Sequence, residues 1–222
     1  MARPSDPQAR SRLLNAAQRV FAERGLDRAR VEEIAGEAGV SKGAFYLHFA
    51  SKEEAFREVV TTVISRLESF LSEDCLNQVA AHCSNPMPTE AKAALTAEPL
   101  DDWLEGDVAI FEYVWEQRQL VRLVMEGGGS ADYRHLVDHF ADRVQSHVLS
   151  VLRLGVSAGL YRSDLDVHVA AAFLAGGYDR FARRLVREPQ KPDLRAVVRE
   201  LQALVGRGIG SEQLIRKLGN GT

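Results

Sequence analysis

Several features that define other classes of protein are missing from this chain of 222 residues. Its two cysteines, Cys75 and Cys83, are too few for a disulfide framework, so we expect a protein of a reducing compartment. No apolar run approaches the roughly 18 residues that a membrane-spanning helix needs. Residues 1–6 lack the apolar core of a secretory signal. Together these absences predict a cytoplasmic protein that does not associate with membranes.

A large net charge, which would point to a partner, is also missing. The chain has 28 Lys and Arg against 31 Asp and Glu, a net charge of −3, and 45% hydrophobic residues, which is ordinary for a globular protein. The local distribution is less even. Seven arginines and three acids give residues 1–30 a net charge of +4, which leaves −7 for the rest of the chain. A basic leading segment on an acidic body is compatible with phosphate contacts at one end only.

The apolar residues recur at spacings of three and four, with almost no strand-like alternation, which predicts an all-α protein. Gly25 is expected to end the first helix, and Ser51 and Glu54 have the spacing of a capping box. Predicted helices span residues 7–24, 31–38, 41–48, 52–81, 100–119, 132–158, 167–187, 192–205 and 211–218.

The first fifty residues contain three short predicted helices with a glycine turn at Gly39, which indicates a helix-turn-helix. Phe45 and Phe49 lie four residues apart and should point into the core. The remaining side chains of the third helix then face outward: Ser41, Lys42, Gly43, Ala44, Tyr46 and His48.

Residues 25–56 read GLDRARVEEIAGEAGVSKGAFYLHFASKEEAF, which resembles the TetR family of bacterial transcriptional regulators. The resemblance implies a helix-turn-helix domain over residues 1–50 and a larger helical domain for ligand binding and dimerisation over residues 51–222. It implies a homodimer that binds a palindromic operator in double-stranded DNA. It further implies a repressor that a small-molecule effector releases from DNA, with no cofactor.

The same resemblance assigns roles within the motif. Base edges would be approached by Ser41, Lys42, Gly43 and Ala44. Backbone phosphates would be contacted by Arg30, Tyr46, His48 and Lys52. One departure concerns Ala29 and Arg30, where the family usually has a capping Thr or Ser; Arg30 could replace the phosphate contact, but the cap on the second helix is weakened.

The last two long helices are the candidate dimer interface. Their apolar stripes are also compatible with the core of one chain, but the family resemblance favours the dimer. The first stripe comprises Ala170, Ala171, Phe173, Leu174 and Gly177, and the second comprises Val197, Val198, Leu201, Leu204 and Val205.

The middle of the chain is the candidate effector site, with Phe111, Trp115, Tyr133, His147 and Tyr178 as its lining residues. The alternative is that these side chains are plain core. Residues 98–116 contain seven acids and no Lys or Arg. Four of the acids, Asp102, Glu105, Glu112 and Glu116, fall on one side of the predicted helix, away from its apolar stripe, which indicates a solvated face. A site for a cationic ligand beside the tryptophans is the less favoured interpretation.

Two clusters would suit a metal- or redox-responsive regulator instead. His135, Asp138, His139 and Asp142 share one helix face, and Cys75, His82 and Cys83 lie close in sequence. No nucleophile–base pair, phosphate-binding glycine loop or paired helix carboxylates are present, so an enzyme is not expected.

Overall fold

The computed structural model describes residues 7–71, 98–125 and 131–212. This part of the chain is built from helices, and its one β-bridge joins Tyr161 to Gly210. In chain order the helices are α1 (Pro7–Arg28), α2 (Val31–Glu37), α3 (Lys42–Tyr46), α4 (Lys52–Phe70), α5 (Glu98–Glu116), α6 (Arg118–Met125), α7 (Ala131–Ser157), α8 (Val167–Leu185) and α9 (Leu194–Ile209).

The all-α prediction is confirmed, with differences at the helix ends. Gly25 interrupts the regular geometry of α1 with φ of 73°, and the chain resumes helical structure to Arg28. α9 starts later than predicted because Asp193 caps it, its Oδ1 accepting from the Ala196 amide at 3.0 Å. The predicted continuation of α4 to residue 81 and most of the predicted helix 211–218 lie outside the described residues.

The contacts divide the chain into two compact units. The first comprises residues 1–66 and 117–139, and the second comprises residues 67–116 and 140–222. The boundary predicted after residue 50 separates a DNA-binding domain from a regulatory domain by function rather than by contacts, and it stays a prediction.

The core of the first unit is aromatic and lies between α1, α3 and α4. Phe21, Phe45, Phe49 and Phe56 are buried, and the rings of Phe21 and Phe56 meet edge to face with centroids 5.1 Å apart. α6 packs against α1 in the same unit. This core fixes the position of the short helices α2 and α3.

In the second unit, α5 packs against α8 and α9. A further apolar cluster forms around Leu152 of α7 and Ala170 and Ala171 of α8. Gly155 allows a close approach here, because a Cβ at this position would lie 2.2 Å from Cε2 of Tyr161.

The variant Gly155→Ala should therefore destabilise the protein by about 1–3 kcal/mol, since the added methyl group overlaps the Tyr161 ring. Gly176→Ala is the matched control on α8, where a Cβ meets no atom within 4 Å. It should stabilise the protein by about 0.5–1 kcal/mol, because alanine loses less backbone entropy in a helix. Chemical denaturation followed by circular dichroism measures both changes, and equal effects of the two substitutions would contradict the close packing at Gly155.

Candidate functional site

The helix-turn-helix is formed by α2, a turn and α3. Gly39 has φ of 69°, a left-handed conformation that glycine adopts without steric cost, and this residue reverses the chain. The turn is closed by a hydrogen bond from the Val40 amide to the Ala35 carbonyl at 2.9 Å. Ser41 then caps α3, its Oγ accepting from the Ala44 amide at 3.2 Å. Each local signal in this stretch thus favours the observed turn.

α3 has one buried side and one side open to solvent. Phe45 and Phe49 are 0% and 1% exposed, as predicted. On the other side, Tyr46 is 49% exposed. Ser41, Lys42 and Gly43 are also exposed, while Ala44 and His48 are half-buried. The surface predicted to meet DNA is therefore accessible, whereas the individual contacts with bases and phosphates stay predictions.

Leu47 is 80% exposed beside this surface, and the sequence interpretation did not single it out. Its position in the sequence could have predicted this exposure. Leu47 is two residues from Phe45 and two from Phe49, so it falls on the opposite side of the helix from these buried rings.

The acids of α2 neutralise bases around the motif. Lys42 Nζ lies 2.6 Å from Glu32 Oε1, and both side chains are exposed. Their hydrogen bond raises the pKa of Lys42 and lowers the pKa of Glu32. In the DNA-free protein the lysine predicted to reach base edges is thus held by an acid of the neighbouring helix.

The N-terminus of α2 lacks the capping Thr or Ser side chain of the family pattern, as the sequence indicates. Arg30 occupies the N-cap position and its side chain accepts no hydrogen bond. Glu33 supplies the other half of a capping box, because its Oε2 accepts from the Arg30 amide at 3.3 Å. The Arg30 side chain is exposed, so it remains accessible to a phosphate.

Lys52, at the start of α4, is engaged inside the protein. Its Nζ donates to the carbonyls of Leu26, Asp27 and Ala29 at 2.9, 3.0 and 3.2 Å. These bonds join α4 to the end of α1 and use the three donors of the ammonium group. A phosphate contact by Lys52 would have to replace one of these carbonyls, and that role stays a prediction.

The predicted effector residues fall in both units. In the second unit Phe111 and Trp115 are buried on α5, and Tyr178 of α8 stacks on Phe111 with centroids 6.0 Å apart. His147 of α7 is half-buried, which lowers its pKa. Tyr133 belongs to the first unit, where it has the contacts of a core residue.

In the first unit, the Tyr133 ring packs edge to face on the Phe56 ring, with centroids 4.9 Å apart. Its hydroxyl donates a hydrogen bond to the Glu53 carbonyl at 3.1 Å.

The acids of α5 lie in two different environments. Glu105 and Glu112 are at the surface, paired with Arg195 and Lys191. Asp107 instead points inward and accepts hydrogen bonds from Tyr178 and Gln202. The sequence interpretation missed this residue, although its spacing carries the signal: Asp107 lies three residues after Leu104 and four before Phe111, on the apolar stripe.

The metal alternative gains no support from the described part of the chain. His135, Asp138, His139 and Asp142 are exposed on α7, and no three described His, Cys, Asp or Glu side chains form a group able to hold a metal. Cys75, His82 and Cys83 lie outside the described residues. Within that same portion, no helix has the length and apolar character to cross a membrane.

The predicted dimer stripes divide between core and surface. Ala170 and Ala171 of α8 are buried within the chain. Phe173 of the first stripe is 79% exposed, and Leu204 of the second is 67% exposed. Val169, four residues before Phe173 and outside the predicted stripe, is 66% exposed. Both helices therefore offer large apolar side chains to solvent in the isolated chain.

Comparison with known proteins agrees with this arrangement. Residues 13–59 match the family model described as bacterial regulatory proteins, tetR family. The HTH-type transcriptional repressor KstR2 of Rhodococcus jostii (strain RHA1) is 31% identical over 168 residues, which cover 74% of each protein.

Two solved structures share the fold. The first is SmeT, the repressor of the Stenotrophomonas maltophilia multidrug efflux pump SmeDEF. It is 20% identical, with a TM-score of 0.66 over 93% of this chain and 92% of SmeT. The second is Bacillus subtilis FadR in complex with stearoyl-CoA. It is 23% identical, with a TM-score of 0.61 over 90% of this chain and 98% of FadR.

The exposed side of α3, the helical body and these similarities agree on a helix-turn-helix transcriptional regulator rather than an enzyme. The chain belongs to the TetR family of bacterial transcriptional regulators.

Proposed function

We propose that the protein is a dimeric repressor that binds a palindromic operator and leaves it when a small molecule binds the body. The observation that carries this proposal is the orientation of α3: Phe45 on this helix and Phe49 just after it are buried, while Lys42 and Tyr46 face solvent. A helix held in this way can enter the major groove. In this proposal residues 1–50 read DNA, residues 51–222 sense and dimerise, and the protein works in the cytoplasm.

Recognition would divide between the two ends of α3. Ser41, Lys42, Gly43 and Ala44 would approach base edges, because the start of a recognition helix reaches deepest into the groove. Contacts to phosphates would come from Arg30, Tyr46, His48 and Lys52, and these would fix the register of the protein on the duplex.

Dimerisation would use the exposed apolar side chains of α8 and α9. One helix-turn-helix reads a half-site, so two copies at a fixed spacing are needed to read a palindrome. Val169, Phe173 and Leu204 provide apolar surface that a second copy would remove from water.

The effector would be a molecule with an apolar body, bound in the second unit. Phe111, Trp115 and Tyr178 provide an aromatic environment there, and His147 is half-buried in the same unit. The FadR structure that shares this fold holds stearoyl-CoA, a ligand with a long apolar chain. Release from DNA requires that the effector bind the DNA-free conformation more tightly than the DNA-bound one.

Selection of bound sequences from random duplex DNA tests the proposal directly. Enrichment of an inverted repeat, followed by a screen for compounds that dissociate the complex, is the expected outcome. Recovery of no enriched sequence at low ionic strength would refute it.

Tyr46→Phe should weaken binding to operator and unrelated DNA by a similar factor, because it removes a hydroxyl expected to bond phosphate and keeps the ring. The expected loss is about 0.5–1.5 kcal/mol, measured by fluorescence anisotropy. Lys42→Ala is the comparison and should change base preference or operator affinity. A change of sequence preference in Tyr46→Phe would assign its hydroxyl to base readout instead.

Phe173→Glu should convert the dimer to a monomer, because it places a charge in the apolar surface that two copies would share. Sedimentation at micromolar concentration measures the change. Leu47→Glu is the control, since it introduces the same charge at an equally exposed leucine on the proposed DNA side. A wild-type monomer, or an unaltered dimer in Phe173→Glu, would contradict the assignment of this face.

A further inference from the structure

Asp107 is an acid placed on the apolar side of α5. Its Oδ2 accepts a hydrogen bond from Gln202 Nε2 of α9 at 3.0 Å and another from the Tyr178 hydroxyl of α8 at 3.4 Å. The carboxylate thus joins three helices of the second unit, and both of its hydrogen bonds from the described residues come from neutral groups.

The charge of this carboxylate is not compensated within the described part of the chain. Two cations that precede Gln202 in the sequence form ion pairs with other acids of α5. Arg195 pairs with Glu105, and Lys191 pairs with Glu112. Burial raises the pKa of Asp107, although both hydrogen bonds act in the opposite direction. Burying a charge without a partner of opposite sign is costly, so a cation brought to this site would be strongly stabilised.

One oxygen of the carboxylate accepts no hydrogen bond from the described residues. Both hydrogen bonds end on Oδ2, and no described residue donates to Oδ1. No side-chain oxygen or nitrogen of the described residues is both fully enclosed and without a partner. A donor from outside the chain could therefore bond Oδ1 and leave the contacts with Gln202 and Tyr178 in place.

The surroundings are aromatic. Tyr178, which donates to Asp107, stacks on Phe111, and Phe181 meets the same Phe111 ring edge to face with centroids 4.9 Å apart. Such rings accommodate an apolar body, and their faces attract a cation. A carboxylate bonded to one ring of this aromatic cluster therefore favours a molecule that combines an apolar body with a positively charged head.

We infer that Asp107 recognises the effector, and that the effector is a lipophilic amine whose protonated nitrogen donates to Oδ1. The inference rests on the proposed function, because it assumes that the second unit is where the effector binds. A neutral alcohol with the same body can make the hydrogen bond without the charge attraction. A carboxylate head would be repelled.

The test compares three ligands with one tail, n-decylamine, n-decanol and decanoate, each below its micelle concentration. Calorimetric titration of the full chain measures their affinity for the wild type, Asp107→Asn and Glu105→Gln. The amine should bind the wild type about tenfold more tightly than the alcohol, since a hydrogen bond to a charged group contributes more than one between neutral groups. Decanoate should bind most weakly.

Asp107→Asn should lose about tenfold in amine affinity and keep its affinity for the alcohol, because it preserves the shape and removes the charge. Glu105→Gln, which removes a surface acid from the same helix, should behave as the wild type. The inference is overturned if decanoate binds as tightly as the amine, if no amine binding is measured, or if Asp107→Asn weakens all three ligands equally. The ranking of ligands on the wild type decides the matter even if Asp107→Asn does not fold.

A measurement of operator binding by the wild type without ligand distinguishes failure of the proposed function from failure of the role inferred for Asp107. Absence of DNA binding refutes the proposed function. Intact DNA binding with no preference for the amine refutes only the role of Asp107. Dissociation of the operator complex by the amine, and not by decanoate, supports both.

Discussion

The burial of two phenylalanine side chains, Phe45 on α3 and Phe49 just after it, determines which residues form the proposed DNA-binding surface. α3 has five residues, too few for its own backbone hydrogen bonds to keep it helical. Phe45 and Phe49 hold it instead, since both are buried and their rings contact each other at 5.4 Å. Because these two residues fix the rotation of the helix, Tyr46 and Leu47 between them are left exposed to solvent. Core packing and DNA recognition therefore depend on the same short segment.

Electrostatic contacts then connect this segment to its surroundings. Glu32 holds Lys42 in the DNA-free protein, so the contact with base edges proposed for Lys42 would compete with a carboxylate for the ammonium group. Lys52 joins the start of α4 to three carbonyls at the end of α1. A displacement of α4 therefore has to move the end of α1 with it or break these bonds, which provides a physical connection between α4 and the DNA-reading helices.

In the second unit, an acidic residue, Asp107, occupies a position where the helical pattern predicts an apolar side chain. Asp107 lies on the stripe that contains Leu104 and Phe111, and its contacts are a phenol and an amide. Stability alone would favour an apolar side chain at this position, because burial of the carboxylate opposes its ionisation. Departures of this kind are expected at functional sites, where a residue is retained for what it binds.

The sequence by itself determined the helical class, the positions of most helices, the family motif and the buried side of α3. These follow from local spacing, caps and turn residues, which act between neighbours in the chain. Only the tertiary structure decided that Lys52 bonds the end of α1, that Tyr133 packs on Phe56, that Ala170 and Ala171 are core while Phe173 is exposed, and that Asp107 meets Tyr178 and Gln202. Those outcomes depend on which helices pack together, and one apolar stripe is compatible with several neighbours until the fold selects one.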